Sequence, residues 1–177
     1  MNYNKESIQQ LLSRNPDNVE LLIEYVHLLR LEGNEKEAKH YLALAAQKDP
    51  NNALVNMQMG LFLFDVNKKD AYKYFLQAKE HLDSTNTNAI FFFIDILWGS
   101  AFYELCEEVV NILLKNTHSK DEQSRIEALY DSLVIETEID YIEDRHQLSI
   151  LTILAKYLKK TKEQTFYSKL FEKNFSK

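Results

Sequence analysis

Apolar positions recur along this chain at three- and four-residue intervals, the spacing of one face of an α-helix, almost from end to end. Ile8, Leu11 and Leu12 give a first stripe and predict a helix over 4–14. Two helix pairs follow, at 18–32 with 35–48 and at 52–66 with 68–82. The apolar run from Ala89 to Trp98 has the content of a buried strand, but its length and flanks favour a buried helix. Beyond Asn116, Ser119 is placed to cap a helix at 121–141, with Ile126, Leu129, Tyr130, Leu133 and Ile139 on one face. Helices at 145–160 (Leu148, Leu151, Leu154, Ala155, Leu158) and 162–175 (Phe166, Leu170, Phe171) complete the pattern. With 3 glycines and 2 prolines the chain is poor in turn residues, as long helices require.

The two prolines stand 34 residues apart in matching phrases, Asn15-Pro16-Asp17-Asn18 and Asp49-Pro50-Asn51-Asn52. Between them run Leu22, Tyr25, Val26 and Leu29, then Gly33, then Ala38, Leu42 and Ala45. The second pair repeats this as Asn56, Met59, Gly60 and Leu63, then Ala71, Phe75 and Ala78, with an inter-helix turn one residue shorter. Alanines suit a close helix crossing, Gly33 falls where the first helix should stop, and Pro50 ends the second. The phrase resembles the tetratricopeptide repeat (TPR), a helical hairpin of 34 residues. A third, degenerate copy is read from Trp98-Gly99 and Phe102 followed by Val110 and Leu114, with bulky Val110 in a small-residue place.

The resemblance implies an all-α, TPR-like α-solenoid, a right-handed superhelix of stacked antiparallel helix pairs with about ten helices. One domain, 1–177, is expected: a capping helix at 4–16, repeats at 19–52, 53–83 and 88–116, and C-terminal helices at 120–177 forming a decayed repeat or a cap.

Charge narrows the function. A net charge of −6 disfavours nucleic acid and anionic membrane surfaces as partners. No run is long and apolar enough to span a bilayer, the N-terminus lacks a signal-peptide pattern, and a cytoplasmic location is the default expectation. The single Cys106 is ringed by Glu104, Glu107 and Glu108, which disfavour a reactive thiolate. The histidines (His27, His40, His81, His118, His146) share no metal-ligand spacing, and no phosphate-binding glycine loop occurs. The acidic run Glu136, Glu138, Asp140, Glu143 and Asp144 lacks the glycine and periodicity of a calcium loop and reads as a solvated helix end. No catalytic residue, metal or cofactor is expected.

The TPR resemblance further implies that four positions on the first helix of each repeat line a concave groove. In repeat one these are Glu20, Ile23, His27 and Arg30; in repeat two Leu54, Met57, Leu61 and Phe64; in repeat three Phe93, Ile96, Ser100 and Tyr103. The expected partner-binding groove is therefore Ile23, His27, Arg30, Leu54, Met57, Leu61, Phe64, Phe93, Ile96 and Tyr103, an apolar strip suited to a peptide or helix of another protein. Coverage by the chain's own C-terminal helices and burial in a homodimer compete with that reading. The expected role is a non-catalytic adaptor, scaffold or chaperone. The alternatives are a chaperone similar to the small acidic TPR chaperones of type III secretion, or a regulatory receptor sensing a peptide or small ligand. Relatives that grip a chaperone's C-terminal carboxylate use Lys and Asn where this chain has Ile23, Glu24 and His27, then Met57, Gln58 and Leu61, so that clamp is not expected.

Overall fold

A computed structural model describes residues 5–117, 119–137, 142 and 144–175. Among them are ten α-helices and no strand. In order they are α1 (Lys5–Arg14), α2 (Val19–Leu31), α3 (Glu35–Lys48), α4 (Ala53–Phe64), α5 (Lys68–Glu80), α6 (Thr87–Gly99), α7 (Tyr103–Asn116), α8 (Lys120–Glu136), α9 (Arg145–Tyr157) and α10 (Thr161–Phe175). Helices pack chiefly against their sequence neighbours, as the pairs α2/α3, α4/α5, α6/α7 and α9/α10. The chain divides into two compact units, Met1–Asp83 and Ser84–Lys177.

The first unit is α1 and two hairpins. Asparagine starts each hairpin helix: Asn18, Asn34, Asn52 and Asn67 accept backbone N–H groups of the first turn, satisfying donors that have no partner within the helix. Gly33 ends α2 with φ 74°. Its N–H donates to Arg30 O, and the Asn34 N–H donates to Leu29 O, the paired bonds of a Schellman turn. Ala38 and Ala45, fully buried on α3, let that helix approach Tyr25, Val26 and Leu29 of α2, with Ile8 of α1 in the same core. In the second hairpin Ala71, Phe75 and Ala78 take the equivalent places on α5. A Cβ on Gly60 would lie 2.3 Å from the Phe75 ring, so this crossing closes only over a glycine. The buried Asn56 side chain donates to Pro50 O (3.0 Å) and Asn52 O (2.9 Å), tying the second proline turn to α4.

The second unit contains α6 to α10. Asn86 caps α6 by accepting from the Ala89 N–H (3.1 Å). Asn18, Asn52 and Asn86 are thus successive caps at the 34-residue interval. Ala101 (φ 57°) stands two such periods after Gly33 and makes the same turn, its N–H donating to Trp98 O and that of Phe102 to Leu97 O. Lys159 (φ 57°) ends α9 in the same way, as far from its cap Asp144 as Gly33 is from Asn18. The second hairpin is one residue shorter from cap to cap, and it contains no left-handed residue: Leu63 O accepts from both Val66 and Asn67.

These landmarks correct the register of the third copy. Trp98 and Gly99 end α6 instead of marking its middle. Two periods after Tyr25, Val26 and Leu29 stand Phe93, Ile94 and Leu97, all fully buried. Two periods after Ala38, Leu42 and Ala45 stand Cys106, Val110 and Leu113, also buried. Cys106, not Val110, therefore holds the small-residue place. The predicted helix at 121–141 is also shorter. Ser119 and Glu122 form a capping box at its start. At its end the chain turns extended at Thr137, whose hydroxyl donates to Leu133 O. Ile139 lies outside the described residues, as do His118, Glu138, Asp140 and Glu143. Asp144, read as solvated, caps α9 by accepting from the His146 and Gln147 N–H groups.

Candidate partner-binding face

Helix α4 is apolar on nearly every side, interrupted by Asn56, Gln58 and Gly60, all buried. An all-round apolar helix is normally enclosed. Here Leu54, Met59, Leu61, Phe62, Leu63 and Phe64 are only half-buried. Leu54, Leu61 and Phe64 follow helical spacing along one side. Their partners one period earlier on α2 are Glu20, His27 and Arg30. Met57 and Ile23, the middle pair, are buried, with 0% and 6% exposure.

The expected groove residues therefore separate. His27 is exposed; Arg30, Leu54, Leu61 and Phe64 are half-buried; Ile23 and Met57 serve the core of the first unit. The remaining three belong to the second unit. Phe93 and Ile96 are buried on α6, and Tyr103 is the first residue of α7, beyond the turn that ends the expected lining helix. Their selection followed from the register anchored on Trp98, and its shift removes the reason for choosing them.

Three cations are stacked on the α4 phenylalanines. The Arg30 guanidinium lies 4.9 Å from the centre of the Phe62 ring, and the Lys39 ammonium 5.5 Å from the same ring. Lys68 lies 4.9 Å from the Phe64 ring. Arg30 Nη1 donates to Oε1 of the buried Gln58 (3.0 Å), while its buried Nε finds no acceptor among the described residues. Phe62, Lys39 and Lys68 were not singled out in the sequence. Lys68 meets Phe64 across the turn that joins α4 to α5, and Arg30 meets Phe62 through packing of α2 on α4, so helical spacing signalled neither contact.

In the second unit a polar cluster joins two helices. Glu107 accepts from Ser149 Oγ (2.7 Å) and from His146 Nδ1 (2.7 Å), linking α7 to α9. Arg145 Nε donates to His146 Nε2, so both ring nitrogens are engaged. The serine is bonded to the carboxylate and not to the imidazole, so nothing here activates a nucleophile. Cys106 is fully buried in the first turn of α7, and burial pushes its thiol well above the usual range, with Asp95 and Glu107 adding to the effect. The disfavoured thiolate read from the flanking glutamates has desolvation as its main cause. A recess of ≈ 420 Å³ opens between α1, α2 and α3, walled by Leu12, Pro16, Leu22 and Leu44 with Tyr25 and Tyr41.

Among the described residues no group of His, Cys, Asp and Glu is arranged to hold a metal ion, and no helix is long and apolar enough to cross a membrane. Neither protein-family models nor curated proteins give a match to this chain.

Proposed function

We propose that the chain is a TPR-like helical-repeat protein, its hairpins stacked as a right-handed α-solenoid, and that it acts as a non-catalytic protein-binding module of the adaptor, scaffold or chaperone kind. The fold part of this reading is supported by the asparagine caps at a constant interval and by three hairpins sharing one left-handed turn geometry. The observation that carries the functional part is the half-buried apolar side of α4, Leu54, Leu61 and Phe64, on a helix whose composition calls for full enclosure. A partner helix or extended peptide inserting apolar side chains there would gain roughly 25 cal/mol per Å² buried, before ordering costs.

The test compares wild type with Leu61→Asp in pull-downs from the source organism, after circular dichroism shows equal helicity. Retention of a protein by wild type and its loss in the variant is the expected result. Equal retention by both, or none by either, would overturn the assignment of this face.

A second reading, a receptor for a small ligand, is favoured by the recess between α1, α2 and α3. A Leu44→Trp variant partly fills that space. Unchanged partner retention by that variant would separate the two roles.

A further inference from the structure

We infer that the segment bound on the α4 face is acidic: an amphipathic peptide whose apolar side chains rest on Leu54, Leu61 and Phe64 and whose carboxylates meet Arg30, Lys39 and Lys68. This rests on reading α4 as a partner-binding face, and it names the chemistry of the occupant.

The argument is one of charge complementarity. The chain as a whole carries a net charge of −6, which by itself would favour basic partners. The cations of the first unit are not all alike. Lys5, Lys48 and Lys73 are held by Glu32, Asp17 and Asp70. Arg30, Lys39 and Lys68 have no ion pair among the described residues and are stacked on Phe62 and Phe64 instead. Stacking on a ring holds a cation in place without neutralising it. The charge is then positioned in advance for an anion, and less side-chain freedom is lost on binding. Arg30 adds a second sign of an incomplete site. A guanidinium carries five N–H donors, and Gln58 accepts from one of them. Arg30 and Lys68 stand near the end of the apolar strip, Arg30 in the last turn of α2 and Lys68 at the start of α5, just beyond Phe64 at the end of α4. A peptide with apolar residues at helical spacing and Asp or Glu at its flank matches both features at once.

The experiment is selection of a phage-displayed library of random peptides, each roughly 16 residues and thus about four helical turns long, on the full-length chain. Leu61→Asp and the double variant Arg30→Gln/Lys68→Gln are selected in parallel, each checked for helicity. Wild type is expected to enrich Leu, Phe or Met at helical spacing beside Asp or Glu, and Leu61→Asp to enrich neither. The double variant should keep the apolar pattern and lose the acidic one. A synthetic wild-type-selected peptide should bind the double variant about tenfold more weakly. Apolar peptides flanked by Lys or Arg, or without any charge preference, would overturn the acidic occupant and leave the face standing. No enrichment on wild type, or the same peptides on Leu61→Asp, would overturn the face and the inference together.

Discussion

At the residue scale, three glycines do three different jobs. Gly33 supplies a left-handed turn, so Gly33→Ala should lower stability by about 1 kcal/mol. Ala101 and Lys159 adopt the same conformation with a side chain, and Ala101→Gly and Lys159→Gly should each stabilise by up to about 1 kcal/mol. Gly60 lies mid-helix, where alanine would ordinarily be favoured by about 1 kcal/mol. The Phe75 ring occupies the space a Cβ needs, so overpacking wins and Gly60→Ala should destabilise by about 1–3 kcal/mol. Gly99 has open space around it, and Gly99→Ala should be neutral or mildly stabilising. Urea midpoints for this series give the signs directly. A destabilised Ala101→Gly would show that the turn does not carry the expected strain.

At the element scale, hairpins are fixed by their ends and by a few cross-helix ties. Asn18, Asn52 and Asn86 each satisfy first-turn donors, so replacement by alanine should cost about 1 kcal/mol at each site. Asn52→Ala also places alanine beside the turn that Asn56 secures, yet Asn56 bonds to backbone oxygens and would keep its partners. The tie between α7 and α9 depends on one carboxylate. Glu107→Ala would leave Ser149 Oγ and His146 Nδ1 without their acceptor, a loss of about 1–3 kcal/mol. Amide exchange should then quicken in α9 and leave α2 and α3 unaffected. Uniform quickening along the chain would contradict a local tie.

For the whole molecule, two groups link stability to pH in the same direction. Burial raises the Cys106 thiol, and burial together with the Tyr167 hydroxyl raises Tyr130. Each keeps its proton when folded and would release it at lower pH when unfolded. Stability from this source is fully present below about pH 8.5, the ordinary thiol value, and is lost as pH rises above it. The urea midpoint should fall between about pH 8.5 and 10.5, and a Cys106→Ala chain should fall less steeply there. An identical slope in the variant would remove the thiol as a cause. Labelling of Cys106 by a thiol reagent should likewise be slow in the folded protein and rise with urea as the second unit opens.

Much of this architecture was legible in the chain alone, because local rules govern it. Helical periodicity placed nine of the ten helices, most ends to within a few residues, while α7 was expected only as the second helix of the degenerate repeat; Gly33 and Ser119 announced a stop and a start by chemistry that acts within one turn. The third hairpin was misread because Trp98-Gly99 imitates a motif step, while the true markers, Asn86 and Ala101, are ordinary residues whose role shows only in their backbone geometry. Groove positions inferred by analogy could not be sorted into core and surface, since whether Met57 is enclosed and Leu61 half-open depends on neighbours far along the chain. The sequence by itself determined where helices form and how hairpins turn. Only tertiary packing decided the burial of each apolar side chain and the placing of Arg30, Lys39 and Lys68 on the α4 phenylalanines, because these depend on contacts between helices that no local spacing encodes.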